Sequence, residues 1–312
     1  MDAGTDAGSA DEACALLAQA RCTKRQQCEP AVLAADFADL ATCEARDKAN
    51  CLSSISAPST GNTPASLTAC AAAYSSWSCA DWYNGITPAA CKVQSGTKAN
   101  GSLCSFAAQC SSAYCAVFRG ANCGTCAPQP SIGTSCAAGN ACGGNGLYCD
   151  SFTDTCQALV TSSGQSCDAG SCGYQLGCVI PTDGGGGTCQ ALGSEVDAGC
   201  DGAQRLAPTC SRPLGFTCLR RHCVAELHAQ ANGACGVDLD AGTVTRCMAG
   251  STCTAADAGS VCVAPVAEGL ACDTAAGVDC LNPARCVSTD GMATDGGPVV
   301  GTCKLASPLS CQ

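Results

Sequence analysis

Cysteine constrains this chain more than any other residue type. It supplies 34 of 312 residues, about 11%, above the roughly 8–10% that marks a disulfide scaffold in a secreted chain. A reducing cytosol would hold these thiols free and exposed to oxidation and mispairing. The even count lets every cysteine pair, giving 17 bridges. Zinc is the rival use, but its sites come as CxxC pairs, often with histidine. This chain has one such pair, Cys123-Gly-Thr-Cys126, and two histidines, His222 and His228. The expectation is a small disulfide-rich fold in an extracytoplasmic protein, secreted or attached to a cell surface.

Aliphatic residues point the same way. Leu, Ile, Val and Phe make up about 14% of the chain, below the roughly 20% associated with a large core. Burying each contributes about 1.5–3 kcal/mol, too little to offset the ordering of so long a chain. Bridges at about 2–4 kcal/mol each fill that gap, so small local cores are expected. The net charge of −11 excludes a basic stripe for nucleic acid. Two small basic groups, Arg21/Lys24/Arg25 and Arg220/Arg221, read as a solvated helix face and a loop. No apolar run reaches membrane-spanning length. The opening Asp2-Ala-Gly-Thr-Asp6-Ala-Gly reads as an acidic lead over 1–10, and the thiols imply an export signal removed from upstream.

Residues 11–92 carry apolar residues and cysteines at helical spacing: Cys14, Leu17, Ala18 and Cys22, then Val32, Phe37, Leu40 and Cys43. Pro30 and Pro64 suit first helical turns, with Thr63 as a cap. A third helix is predicted from Pro64 through Trp77 and Asp81 to Asn84-Gly85. Trp77 is expected in the core; Trp82 with Tyr83 fits either core or a surface patch. Cys14, Cys22, Cys28, Cys43, Cys51, Cys70, Cys79 and Cys91 suffice for four bridges across a helical domain. Eight cysteines permit 105 pairings, so connectivity stays open.

Beyond Cys91 the chain is glycine-rich and repeats over 93–312, a tandem array of short β-hairpin units. Six units, about 101–130, 131–160, 161–193, 194–227, 228–265 and 266–306, precede a short terminal segment. Their first cysteines are Cys104, Cys136, Cys167, Cys200, Cys235 and Cys272. A glycine generally stands before each, as in Gly101-Ser-Leu-Cys104, Gly199-Cys200 and Gly233-Ala-Cys235. Second cysteines follow at Cys110, Cys142, Cys172, Cys210, Cys247 and Cys280, and third ones at Cys115, Cys149, Cys178, Cys218, Cys253 and Cys286. The closing cysteines are Cys126, Cys156, Cys189, Cys223, Cys262 and Cys303, followed by similar tails such as Gln157-Ala-Leu and Gln190-Ala-Leu. Asp/Gly tips at Asp183 and Asp257, between third and closing cysteines, predict a hairpin. First-to-third and second-to-fourth pairing is the working expectation, although spacing alone does not fix it. One of Cys123 and Cys126 is left over with Cys311, and the two can join the terminal segment to the first unit. Contacts mainly between neighbouring units are expected.

This order, with Ser78-Cys-Ala-Asp-Trp-Tyr-Asn-Gly, Pro88-Ala-Ala-Cys91 and Gln109-Cys-Ser-Ser-Ala-Tyr-Cys115, resembles the cysteine-rich surface lipoproteins of myxobacteria. Their repeats are similar to the amino-terminal cysteine-rich domain of Dickkopf-type proteins, whose relatives include colipase-like folds. The resemblance covers about Ala13 to Cys303. It implies surface display and a lipid anchor upstream of this sequence, and it carries no catalytic residue.

Catalytic constellations are sparse. Cys123 and Cys126 have the spacing of a thiol–disulfide oxidoreductase, but they lack the helix amino-terminus that activates such a pair. His222 sits between Arg221 and Cys223 and His228 follows Glu226-Leu, both in or just after the fourth repeat, where neither is expected to serve as a base or as a zinc ligand. The Asp-Ala-Gly tripeptides at Asp2, Asp6, Asp168, Asp197, Asp240 and Asp257 suggest calcium. Yet Asp238-Leu-Asp240-Ala-Gly242 lacks the glutamate of an EF-hand, with Ala249 at position twelve. Solvated turns are the expectation there. No cofactor or metal is expected. The function expected is non-enzymatic: a structural or ligand-binding surface protein whose partner is another protein or a surface polymer. A secreted effector such as a protease inhibitor is the alternative, and self-assembly through exposed strand edges is compatible with either.

Overall fold

The computed structural model describes residues 8–117, 121, 123–136, 142, 146–150, 153–167, 171–182, 186–204, 207–256, 259–288, 298–307 and 311. Helices occupy the amino-terminal part and small antiparallel sheets the rest, tied by 17 disulfides that consume all 34 cysteines. Of the expected acidic sites, Asp2, Asp6, Asp168, Asp183 and Asp257 lie outside the described residues.

Helix α1 (Ala10–Cys28) starts at a capping box in which Ser9 and Glu12 satisfy each other's backbone N–H groups. Two bridges, Cys14–Cys51 and Cys22–Cys43, join it to α3 (Leu40–Ile55). Each pair of cysteines is eight residues apart and runs in opposite order on the two helices, so the bridges fix an antiparallel packing. Helix α2 (Pro30–Phe37) has its proline in the first turn, as does α4 (Pro64–Ala73), which Thr63 caps. The predicted long third helix is broken. After α4 the chain tightens into a 3-10 turn over Tyr74–Ser76, Trp77 is extended, and Ser78 caps a new helix α5 (Cys79–Tyr83). Ser75 and Ser76 turn their hydroxyls onto the carbonyls of Ala72 and Ala73, the local competition that weakens serine-rich helix ends. The break swings Trp77 into the core beside Tyr74, with ring centroids 5.1 Å apart, and Trp82 packs edge-on against it. Bridges Cys28–Cys79 and Cys70–Cys91 lock this corner.

The basic cluster on α1 is not a solvated face. Arg21 donates to the Tyr74 hydroxyl and pairs with Asp47; Arg25 pairs with Asp36 and lies over the Phe37 ring. Lys24 is buried.

Within every unit the first cysteine bonds the third and the second bonds the fourth, as in Cys104–Cys115 with Cys110–Cys126 and Cys167–Cys178 with Cys172–Cys189. The third and fourth cysteines face each other across the hairpin without bonding to each other. Cys178 on β7 (Leu176–Val179) is opposite Cys189 on β8 (Gly187–Ala191), and Cys286 on β16 (Arg285–Ser288) is opposite Cys303 on β17 (Val300–Lys304). Two bridges therefore stand side by side and staple the preceding arm onto the hairpin. The sulfurs themselves form the unit's core, as with Cys104, Cys110, Cys115 and Cys126.

A left-handed residue opens each unit three positions before the first cysteine: Gly101, Gly133, Gly164, Asp197, Asn232 and Gly269. In each, the N–H bonds to the carbonyl of the unit's closing cysteine. The glycines aligned from sequence in units four and five, Gly199 and Gly233, are not the equivalent residues. Asp and Asn tolerate the left-handed region better than other side chains, so they stand where glycine stands elsewhere. The tails also acquire a role. Val160, Gly193 and Val266 run parallel to the second cysteine of the next unit, at Cys172, Cys210 and Cys280. Between units four and five this contact grows into a sheet. With β9 at Phe216–Leu219 and β11 at Gly236–Asp238, β10 (His222–Ala229) continues through the expected boundary at 227 and pairs in parallel with β12 (Thr243–Cys247), giving the order β11-β12-β10-β9.

Contacts are not confined mainly to neighbouring units as expected; every unit also touches the helical domain. Gln109 of unit one donates to the Pro58 carbonyl at 2.9 Å. The Asn84 carbonyl accepts from Gly146 of unit two, and the Asn84 side chain accepts from Tyr174 N–H of unit three at 2.8 Å. Unit four rests Gly215 on Ala31. Unit five donates from Ala249 and Gly250 to the carbonyls of Ala34 and Ala35. Unit six receives Arg46, which donates to the carbonyls of Asn282 and Leu281 and pairs with Glu268. Cys123–Cys311 then closes the circuit, with Ser105 donating to the Ser307 carbonyl and Lys98 to that of Cys311.

Replacing Cys123 and Cys311 together by serine is expected to leave the other bridges intact. Stability should fall by about 2–4 kcal/mol, since closing this long loop restricts mainly the unfolded chain. Peptide mass mapping with hydrogen exchange should place the lost protection around residues 298–307. The Glu268 carboxyl is held below the usual carboxylate range by its hydrogen bond to Arg46. A depressed folded-state value means that this contact stabilises above the unfolded pKa and is lost as pH falls through the folded one. Exchange near Leu281 is expected to rise on acidification below about pH 4, and Arg46→Ala should abolish that pH dependence.

Candidate functional site

The residues singled out from sequence do not converge. Cys126 is bridged to Cys110 and Cys123 to Cys311, so the CxxC is two halves of different bridges and not a redox pair. This overturns the oxidoreductase reading, since neither sulfur can resolve the other without breaking a distant bond. The cysteine triplets that approach each other within metal-ligand reach, such as Cys136, Cys142 and Cys156, are bonded sulfurs without thiolates to offer.

His222 and His228 lie on the same strand, β10. His222 is exposed and its Nδ1 is 3.4 Å from the Asp197 carbonyl. The His228 Nε2 is buried without a partner, across from Arg246, whose guanidinium pairs with Glu226 at 2.5 Å. Arg220 and Arg221 form the two-residue turn between β9 and β10, both left-handed, with φ of 51° and 68°. Such turns favour Asn-Gly, so the two arginines do not mark the tip of this hairpin in the sequence. At the calcium-like segment, Asp238 accepts from the N–H groups of Asp240 and Ala241 at 2.9 Å. That is an Asx turn joining β11 to β12, and the solvated-turn expectation stands.

Two concave regions were not visible in the sequence. A cleft of about 660 Å³ lies where α2 meets units five and six and Val117 of unit one. Asp36, Asp279 and Arg285 line it, and the buried Ser251 Oγ lacks a partner. Burial pushes the Asp36 carboxyl above its ordinary value, partly opposed by Arg25. Asp279 is engaged by the Thr252 hydroxyl at 2.7 Å. The second region, about 460 Å³, is an open groove between α1 and α4 walled by Leu16, Ala20, Ala71, Ala72 and Tyr74. Tyr83, near the helix end beyond Trp82, packs instead on Tyr174 of unit three at 5.6 Å and so serves unit docking. Among the described residues no helix is long and apolar enough to cross a membrane.

No family model matches this chain, and neither a curated protein nor a solved structure does.

Without reductant, alkylation is expected to label no cysteine in the native protein. Cys126→Ser should expose one thiol, and tryptic mapping should find it at Cys110 rather than Cys123; label on Cys123 would restore the redox reading.

Proposed function

We propose that this protein is a non-enzymatic, extracytoplasmic structural or ligand-binding module displayed at a cell surface. One observation carries the reading: every cysteine is spent in a bridge. The constant sulfur frame thus supports loops that differ in length and sequence from unit to unit. An enzyme needs a few groups held at one place. Here the same backbone geometry recurs six times, each time carrying different side chains between its third and closing cysteines, the pattern of a presenting scaffold. The resemblance to the myxobacterial cysteine-rich surface lipoproteins supports display on an anchored chain. The acidic balance favours a protein or polymer partner over nucleic acid.

Intact cells treated with a membrane-impermeant amine label are expected to yield the protein labelled at its lysines and retained in the membrane fraction. Recovery only from the medium, with inhibition of a protease panel, would favour a secreted effector; recovery only after lysis would sink both.

A further inference from the structure

The helical domain over residues 11–92 holds six basic side chains; Lys92 is exposed, and four of the other five face a carboxylate. Arg21 pairs with Asp47, Arg25 with Asp36, Arg46 with Glu268 and Lys48 with Asp11. The fifth, Lys24, is buried at 6% exposure, whereas those four are only partly buried. Among the described residues Lys24 makes no ion pair; its one hydrogen bond runs to Gln27 Oε1 at 2.9 Å. The order is inverted from what electrostatics favours, because the more deeply a charge is buried the more it needs a counter-charge. A chain of net charge −11 has acids to spare, and none is placed here.

Lys24 lines the groove between α1 and α4. On α1 the lining residues Leu16, Ala20, Lys24 and Gln27 recur at helical spacing, a stripe about 16 Å long at 1.5 Å per residue. Ala71, Ala72 and the Tyr74 ring form the facing wall. The groove, at about 460 Å³, falls within the 300–1,000 Å³ typical of small-ligand sites, which are mostly apolar with a few fixed polar groups. Exposed Leu16 forms its lip. Gln19, Thr23, Thr68 and Ser75 stand among these apolar residues; an ammonium with two donors to spare in such a groove is complementary to one carboxylate on a partly apolar body.

We propose that the α1–α4 groove binds a small amphiphilic monocarboxylate, its carboxylate on Lys24 and its apolar chain along Ala20, Ala71 and Ala72. This site is separate from the repeat-unit loops, so its failure leaves the display reading untouched. A surface module carrying it would sequester or sense such amphiphiles outside the cell.

The test is calorimetric titration of the full chain with decanoate and, in parallel, with decanol. Saturable one-to-one binding of decanoate is expected, with decanol weaker by about 10–100-fold, the range of a hydrogen bond to a charged group. Lys24→Met should abolish that preference for the acid. Its Tm should stay or rise by about 2–4 °C, because a buried unpaired charge is replaced by an apolar chain of similar volume. Ala72→Trp, at an exposed wall position, should block both probes with unchanged circular dichroism. Absence of saturable decanoate binding, or equal binding of acid and alcohol, would overturn the proposal. So would undiminished binding by Lys24→Met, or a clear loss of Tm in that variant, which would make Lys24 a structural strut to Gln27.

Discussion

Two disulfides standing side by side on one hairpin face are the interaction on which this molecule depends. In a unit such as 161–193 the described strands are two to five residues long. A hairpin of that size is at best marginal in water without further packing. The pair Cys167–Cys178 and Cys172–Cys189 replaces the missing core in two ways. It removes conformations from the unfolded chain, and it packs four buried or half-buried sulfurs where aliphatic side chains would otherwise be needed. Once these two bridges hold the hairpin and its arm, residues between the cysteines are needed mainly where they dock on the helical domain, as Tyr174 does. Elsewhere between the cysteines the sequence can then vary without cost to the frame.

Much of this was legible because cysteine is both rare and chemically committed. The four-cysteine spacing repeats six times, which is hard to produce by chance, whereas the order of pairing within a unit came from the structure. Thr63 and Pro64 marked a helix start and the structure begins α4 there. The break at Trp77 was not legible, because Ala, Ser and Tyr around it are tolerable in a helix. What ends α4 is the demand of the core for the Trp77 ring together with serine hydroxyls folding back. Asp197 and Asn232 illustrate a second limit. Aligning by residue identity picked Gly199 and Gly233, whereas the constraint is a backbone angle that aspartate and asparagine also meet. The concave sites were invisible for another reason: Lys24 looks like any lysine among Arg21 and Arg25 until the helices place carboxylates beside the other two.

A repeat array ordinarily gains stability by nearest-neighbour contacts alone, and it can then bend or fray from either end. Here the tails supply those neighbour contacts through one short parallel bridge at three junctions, at Val160, Gly193 and Val266, and through the β10–β12 pairing between units four and five. Such bridges are small, two backbone hydrogen bonds each, and could not hold six units in fixed relation. The helical domain supplies what they lack. Asn84 shows how little is needed: one buried residue offers its backbone carbonyl to unit two and its side-chain oxygen to unit three, fixing the angle between them.

Docking on a shared hub also changes the character of the loops. In an open array the distance between loops of units one and six would fluctuate with every junction between them. With each unit seated on a helix and Cys123–Cys311 joining the terminal segment to the first unit, that distance is set by the helical bundle, which four bridges of its own hold rigid. Loops from different units can therefore act on one partner together, with little ordering entropy left to lose on binding. The rigidity follows from pairing sulfurs across distant parts of the chain, which only an oxidising compartment allows. The same chemistry that stands in for the hydrophobic core thus decides where the protein can fold and makes a many-loop surface possible.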